Sequence, residues 1–125
     1  MALLDSNIII YSSQPDFSFL QDIIRSGEHS VSMITKIECL GFHNLSRADK
    51  KYLNLIFDLY VNIIPIDEEI AFKAIFYKQI RKMGLADGII GATAQHYNLE
   101  LITRNTEDFI HIPDLNITNP IDINT

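Results

Sequence analysis

The sequence predicts an α/β domain in which a central, mainly parallel β-sheet is flanked by α-helices on both faces. Short apolar runs typical of buried strands alternate along the chain with longer segments in which apolar residues recur at helical spacing. This alternation favours parallel strands joined by helical crossovers. The length of 125 residues predicts one domain over residues 1–125, and a composition of 47% apolar and 21% charged residues excludes a disordered chain.

The N-terminal part of the chain predicts a strand followed by helical structure. Residues 2–5 fit a short buried strand, whereas residues 7–11 carry three consecutive isoleucines that fit either a strand or a short helix. Asp16 predicts the N-cap of a helix over residues 17–26, and Gly27 predicts its end.

The next part of the chain predicts a strand and two helices. Residues 29–34 are rich in β-forming residues and fit a strand. Thr35 predicts the start of a helix, because Glu38 follows it at the capping-box spacing. Ser46 predicts a further helix start, and apolar residues recur at helical spacing from there to Tyr60.

The C-terminal half repeats the alternation of strand and helix. Residues 61–66 predict a strand, Asp67 predicts the cap of a long helix, and Gly84 predicts its end. Asp87 predicts the start of a helix of small and apolar residues that must pack closely. The last predicted elements are strands at 99–103 and 115–118 and a loose tail at 121–125.

Charge, cysteine content and hydropathy limit the classes of protein to which the chain can belong. A formal charge of −6 argues against broad electrostatic adhesion to nucleic acid, although bound cations can offset acids locally in a nucleic-acid enzyme. Cys39 is the single cysteine, which excludes a disulfide framework and predicts a small buried side chain. No signal peptide or membrane-length apolar run is visible, so we expect a cytoplasmic protein without a membrane partner.

Four carboxylates stand at predicted ends of strands or starts of helices. They are Asp5, Glu38, Asp87 and Asp108. Because ligands bind at the carboxyl ends of parallel strands, we expect these side chains to approach the same edge of the sheet. Carboxylates are hard oxygen ligands for Mg²⁺ or Mn²⁺, and such a cation can stabilise attack on a phosphodiester. Taken singly, each acid also fits a helix cap or a turn, so spacing alone leaves the metal site open.

These acids lie in four short motifs that follow one another along nearly the whole chain. The motifs are Leu4-Asp5-Ser6-Asn7, Thr35-Lys36-Ile37-Glu38, Ala86-Asp87-Gly88-Ile89-Ile90-Gly91-Ala92-Thr93-Ala94 and Thr103-Arg104-Asn105-Thr106-Glu107-Asp108-Phe109. Together they resemble the PIN domain family, and specifically the VapC-like toxins of bacterial toxin–antitoxin pairs. Each motif is weak alone, but all four in this order are specific.

The resemblance implies a PIN-like α/β/α fold and a metal-dependent endoribonuclease that acts on RNA. Asp5, Glu38 and Asp87 would hold Mg²⁺ or Mn²⁺ that activates water, and Ser6 and Thr103 would orient these carboxylates. The resemblance also implies a homodimer and a small antitoxin protein as partner.

One departure from the family pattern bears on activity. Asn105 stands where many members have Asp, and we expect Asp108 to supply the fourth ligand with Asn105 assisting. The alternative is a catalytically weak PIN domain that acts as an RNA- or protein-binding module. A receiver-like signalling domain fits less well, because Asp5 lacks an acidic neighbour and Arg104 stands where a late lysine is needed. The chain also lacks the glycine-rich loops of nucleotide-binding modules.

Several other side chains have two interpretations. Arg81 and Lys82, with Lys73 and Lys78 before them, could guide an RNA backbone or form a solvated helix face. Arg104 could contact a phosphate or form a salt bridge with a neighbouring acid. An aromatic group could line a partner groove or pack in the core; it consists of Tyr52, Phe57 and Tyr60.

Overall fold

A computed structural model of the protein describes residues 1–123. Its strands form one five-stranded sheet in the order β3-β2-β1-β4-β5, and every pair of neighbouring strands is parallel. The strands are β1 (Ala2–Leu4), β2 (Ser30–Ser32), β3 (Asn62–Ile64), β4 (Glu100–Ile102) and β5 (Ile117–Thr118). The predicted parallel sheet is confirmed. Because β1 is central, the residue that follows it lies in the middle of the carboxyl edge.

Helices cover both faces of this sheet, as predicted. They are α1 (Ser6–Tyr11), α2 (Leu20–Arg25), α3 (Met33–Leu40), α4 (Arg47–Leu55), α5 (Glu68–Ile80), α6 (Leu85–His96) and α7 (Pro120–Ile123). A π-helical turn over Ile56–Tyr60 continues α4, and 3₁₀ turns occupy Pro15–Phe17 and Thr106–Asp108. The isoleucine-rich segment at residues 7–11 is therefore helical, which its pattern had left undecided.

Alternation along β1 divides the core into two layers. Ala2 and Leu4 face one layer, and Leu3 faces the other. Buried side chains from α1 to α4 complete the first layer; they include Ile8, Ile24, Cys39, Leu53 and Phe57. Side chains from α5, α6 and residues 103–112, called the late turn below, complete the second layer. They include Ile70, Tyr77, Ile90, Phe109 and Ile112. Each fully buried large apolar side chain contributes roughly 1.5–3 kcal/mol to folding.

Cys39 belongs to the first layer, as its apolar surroundings predicted. Its side chain is buried, and burial raises the pKa of its thiol to about 12, with further contributions from Glu38 and Asp5. The thiol is therefore protonated at neutral pH and acts as a small apolar side chain. Within residues 1–123, no helix combines the length and the apolar character needed to cross a membrane.

The predicted cap of the helix that carries Glu38 is wrong. The helix begins at Met33, and Ser32 is the N-cap, because its Oγ accepts a hydrogen bond from the Ile34 amide at 3.2 Å. Thr35 lies inside the first turn and is fully buried. Two residues of the Ser/Thr type stand three positions apart here, and packing rather than propensity decides which one caps the helix.

The predicted cap of the second helix is also wrong. Asp16 lies within the 3₁₀ turn, and α2 begins only at Leu20 without a side-chain cap. The predicted stop at Gly84 fails in a similar way, because α5 ends at Ile80 and Gly84 is the N-cap residue of α6. Asp87 consequently occupies the first turn of α6 instead of its first position.

The C-terminal segment is better ordered than predicted. Instead of forming a loose tail, its first residues continue α7, and Ile121 is buried in the first core layer. The remainder of the predicted tail, residues 124–125, lies outside the described residues.

Candidate metal centre and nucleic-acid interface

Asp5 is a buried carboxylate held by donors from two elements. It follows β1, serves as the N-cap residue of α1, and is only 4% exposed. Its Oδ1 accepts a hydrogen bond from the Ser6 amide at 2.7 Å, and its Oδ2 accepts one from the Thr103 hydroxyl at 2.7 Å. The side chain therefore has a fixed orientation at the carboxyl edge of the sheet.

The Thr103 hydroxyl is itself oriented by the chain around it. Its Oγ1 accepts hydrogen bonds from the Asn105 amide at 3.0 Å and from the Asn7 side chain at 3.4 Å. Because these donors occupy its lone pairs, the hydroxyl hydrogen is directed at Asp5. Sequence reasoning identified Thr103 but missed Asn7, whose place after Asp5-Ser6 was the available signal.

Glu38 is tied to the same edge by Ser6. The Ser6 hydroxyl donates to Glu38 Oε1 at 2.6 Å and lies 3.1 Å from the Thr35 hydroxyl. Ser6 thus contacts Asp5 through its amide and Glu38 through its side chain. Thr35, read as a helix cap from the sequence, instead buttresses this contact from one turn before Glu38.

Asp5 and Asp87 have raised pKa values, to which burial contributes most and repulsion by neighbouring acids adds. Burial raises the pKa of Asp5 to about 6, and repulsion by Asp87 and Glu38 adds to this, while the Thr103 and Ser6 hydrogen bonds oppose it. Burial also raises the pKa of Asp87, with repulsion by Asp108 and then Glu38 adding to it. Asp5, Glu38, Asp87 and Asp108 are called the acidic cluster below.

The acidic cluster does not form a ready-made coordination shell. Within residues 1–123, no three Asp, Glu, His or Cys side chains are arranged so that they could hold a metal ion together. The donor set nonetheless suits a hard divalent cation, because it consists of carboxylates supported by hydroxyl donors, and Mg²⁺ usually retains several waters as ligands. Burial is the main cause of the raised pKa values of Asp5 and Asp87, and a cation would relieve the repulsion between acids that adds to it.

The 3₁₀ turn at Thr106–Asp108 brings Asp108 near Asp87. Asp108 ends the 3₁₀ turn at Thr106–Asp108, is half-buried, and acts on the Asp87 carboxylate. Asn105 is exposed, and its backbone amide binds Thr103. The expectation that Asp108 supplies the fourth ligand, with Asn105 assisting, stays a prediction.

Comparison with known proteins places this arrangement in a family. A sequence model of the PIN domain matches residues 2–115, which is most of the chain. The chain belongs to the PIN domain family. A separate comparison with curated proteins gave no match.

Several solved structures contain chains with the same fold. A chain of a toxin–antitoxin complex from Klebsiella pneumoniae superimposes with a TM-score of 0.77 at 32% identity, over 96% of this chain and 98% of that one. A chain of FitAcB from Neisseria gonorrhoeae gives a TM-score of 0.72 at 27% identity, over 97% and 99% of the two chains. A chain of FitAB bound to an IR36 DNA fragment gives 0.74 at 26% identity, over 96% and 95%.

The basic residues of the PIN domain are engaged to different degrees. Lys78 donates a hydrogen bond to the Met83 carbonyl at 2.7 Å. Its aliphatic chain packs against Gly88 so closely that a Cβ at position 88 would lie 3.0 Å from it. Lys73 donates to the Gln95 side chain at 2.8 Å. Lys73 therefore links α5 to α6, and Lys78 links α5 to the segment that connects the two helices. Neither lysine belongs to a free basic surface.

Arg81 and Lys82 remain at the surface beside α6. Arg81 donates to the Glu107 carbonyl at 3.0 Å, which ties the end of α5 to the turn that carries Asp108. Lys82 is exposed. Within residues 1–123, Arg104 does not form the salt bridge with an acid that was considered for it. Its guanidinium instead lies over the Tyr11 ring.

Two depressions open beside the acidic cluster. A cleft of about 450 Å³ contains both Glu38 and Asp87, together with Ile34 and the backbone turn at 84–86. An apolar groove of about 240 Å³ lies on the other side of Glu38; its lining is Ile10, Ser13, Glu38, Cys39, Phe42, Leu45, Asp49, Tyr52 and Leu53. Of the aromatic group considered above, Tyr52 lines this groove and Phe57 is a core residue.

Proposed function

We propose that this PIN domain is a metal-dependent endoribonuclease and the toxin of a toxin–antitoxin pair. The observation that carries the proposal is the acidic cluster, in which a carboxylate only 4% exposed is held by hydroxyl and amide donors among other acids. Burial raises the pKa of this carboxylate even with these donors in place, so its retention at the edge of the sheet favours a catalytic role. The structural likeness to a chain of a toxin–antitoxin complex at 32% identity supports the toxin role.

The residues of the chain would prepare the site in defined ways. Asp5, Glu38, Asp87 and Asp108 would hold Mg²⁺ or Mn²⁺, with Asn105 assisting. When bound, such a cation would activate water and offset charge on the phosphodiester under attack. Thr103 and Ser6 would keep the carboxylate lone pairs aimed at one point, since their hydrogen bonds fix both oxygens of Asp5.

The cleft between Glu38 and Asp87 would receive the RNA strand. It lies along the start of α6, where Gly84 and the exposed Leu85 form one wall. Arg81 and Lys82 follow α5 directly before this wall and would offset the acidic charge for an approaching phosphate. No serine, cysteine or histidine nucleophile is required.

The apolar groove would bind the antitoxin. Its lining is apolar except at Ser13, Glu38 and Asp49, so it suits a peptide that carries apolar anchors and a basic side chain. Because Glu38 belongs to both the groove and the acidic cluster, a peptide seated there would obstruct the metal ligands. Binding of the antitoxin and inhibition of cleavage would then be one event.

A homodimer would use the exposed face of α5. Phe72, Phe76 and Ile80 follow one another at a spacing of four residues and are all exposed. An apolar stripe of this kind is typical of a helix that packs against another helix. We expect light scattering to give a dimer for the wild type and a monomer for Phe76→Asp.

Exposed phenylalanines on the two surfaces provide matched variants. Phe42 is 58% exposed beside the groove and Phe76 is 53% exposed on α5. Phe42→Asp should weaken the complex with the co-expressed antitoxin and leave the dimer intact, whereas Phe76→Asp should do the reverse. Loss of both interactions in either variant would contradict the assignment of the two surfaces.

Cleavage of RNA tests the proposed activity. Purified protein is incubated with a mixed RNA pool in Mg²⁺, in Mn²⁺ or in EDTA, beside Asp5→Asn and the exposed-acid control Asp58→Asn. We expect cleavage by the wild type and Asp58→Asn that requires metal and is lost in Asp5→Asn. Folded protein that cleaves nothing under any metal would contradict the proposal and favour a PIN domain that binds RNA or protein without cutting.

A further inference from the structure

Arg104 lies at the surface on a support made of two aromatic rings. The centre of its guanidinium is 4.7 Å from the centroid of the Tyr11 ring and 5.8 Å from that of Phe17. The two rings contact each other edge to face, with centroids 5.2 Å apart. Both rings are half-buried, so the cation is exposed while its support belongs to the packed part of the domain. A guanidinium over aromatic faces is attracted to their negative centres.

The backbone of Arg104 is held against the same helix that carries this support. Its amide donates to Asn7 Oδ1 at 3.3 Å, and its carbonyl accepts from Asn119 Nδ2 at 3.1 Å. Asn7 and Tyr11 are four residues apart on α1 and therefore share one face of the helix. One face of α1 thus fixes both the main chain and the side chain of Arg104. This reduces the conformational entropy that the arginine would lose on binding a ligand.

The guanidinium donors of Arg104 are free within residues 1–123. They make no hydrogen bond or ion pair with any described residue, although the chain carries a net charge of −6 and Thr103, the neighbouring residue, binds Asp5. An arginine whose role was to neutralise nearby acids would pair with one of them. The face of Tyr11 that could stack on a base is covered by Arg104, which disfavours base stacking there. What remains is a planar set of N–H donors suited to a phosphate.

We propose that Arg104, on its Tyr11–Phe17 support, binds a backbone phosphate of the RNA strand that flanks the phosphate undergoing cleavage. This inference rests on the proposed ribonuclease function, since the acidic cluster defines where the strand is cut. The contact is sequence-independent and gives the strand its register, because phosphate contacts position nucleic acid without reading bases. It also supplies positive charge one residue from Thr103, where an anionic strand would otherwise meet mainly acids.

The salt dependence of RNA binding tests this contact without cleavage. In the Asp5→Asn background, binding of a short fluorescent single-stranded RNA is measured by anisotropy over a range of KCl concentrations. Neutralising one phosphate contact is expected to reduce the slope of log K against log [KCl] by about 0.7. Arg104→Gln should show this reduction and about tenfold weaker binding at low salt. Arg47→Gln, an exposed arginine at the start of α4, is the matched control and should retain the parental slope.

Further variants separate charge from geometry. Arg104→Lys should keep the slope but bind more weakly, because lysine lacks the planar pair of donors. Tyr11→Leu should weaken binding with no change in slope. Thermal unfolding checks that each variant is folded, and because Arg104 is exposed, its variants should melt with the parent. Equal slopes for Arg104→Gln and Arg47→Gln, or no RNA binding by the folded parent at low salt, would overturn the proposal.

Failure of the phosphate contact and failure of the ribonuclease function give different results in this test and in the cleavage assay. RNA cleavage by the wild type with an unchanged slope in Arg104→Gln would refute the phosphate contact and leave the ribonuclease intact. A reduced slope in a protein that never cleaves RNA would support the contact and refute the ribonuclease.

Discussion

Replacing Asp5 by asparagine is expected to stabilise the fold at pH 8 in metal-free buffer. The pKa of Asp5 rises from 3.8 to about 6 on folding, so its ionised form costs the native state about 3 kcal/mol at 1.36 kcal/mol per tenfold change in proton affinity. Asparagine removes this cost, but its Nδ2 cannot accept a hydrogen bond, so one of the two bonds from Ser6 and Thr103 is lost, which costs about 1–2 kcal/mol. The net gain is about 1–2 kcal/mol, or roughly 4–8 °C in Tm for a domain of this size.

The sign of the pH dependence follows from proton binding. Folded protein binds a proton at Asp5 more tightly than the unfolded chain does, so this part of the stability is complete below pH 3.8 and is lost as the pH rises through about 6. Urea unfolding in EDTA at pH 4 and pH 8 measures the difference between wild type and Asp5→Asn, with Asp58→Asn as control. A variant less stable than wild type at both pH values would refute the reasoning.

Three further substitutions follow from the same contacts. Thr103→Val should raise the pKa of Asp5 further and weaken Mn²⁺ binding, measured by calorimetry, by about 10–100-fold, because the hydrogen bond to Asp5 is lost. Thr103→Ser keeps the hydroxyl and should retain binding. Equal Mn²⁺ affinities of Thr103→Val and Thr103→Ser would contradict a role of this hydroxyl in orienting Asp5. Ser32→Ala should lower the free energy of unfolding by about 1 kcal/mol in urea, because the cap of α3 is lost, whereas Thr35 cannot replace it. Gly91→Ala should cost about 1–3 kcal/mol in the same assay, because its methyl would overlap the Ile112 side chain; an unchanged midpoint would mean that the late turn yields freely.

The sheet and the position of the acids were predictable because both follow from local pattern and topology. Short apolar runs identified each strand, and parallel pairing brings the residues after β1 and β4 to the same edge. Asp5 follows β1 directly, so topology alone predicts its place at that edge, whereas the place of Asp108 also depends on the 3₁₀ turn that separates it from β4. The family motifs then selected Ser6 and Thr103 as supporting residues, and the structure places the hydroxyls of both against acids of the cluster.

The parts that sequence did not predict depend on contacts between distant residues or on very short segments. Ser32 and Thr35 are equally good caps by residue type, and only the packing of Thr35 against Ser6 on α1 separates them. The support of Arg104 joins residues far apart in sequence, since Tyr11 lies on α1 and Arg104 follows β4. Gly84 lies in the short connection between α5, which ends at Ile80, and α6, which begins at Leu85. A glycine in so short a segment fits either the end of the first helix or the start of the second, so the sequence alone does not decide between them.

Whether the acidic cluster holds a divalent cation is tested most directly by titrating Mn²⁺ into the metal-free protein by calorimetry. Wild type, Asp5→Asn and Asp58→Asn are compared at pH 8, where Asp5 is ionised. We expect saturable binding in wild type and Asp58→Asn and at least about tenfold weaker binding in Asp5→Asn. Equal binding by all three proteins, or no binding by folded wild type at millimolar Mn²⁺, would contradict a metal site at this edge of the sheet.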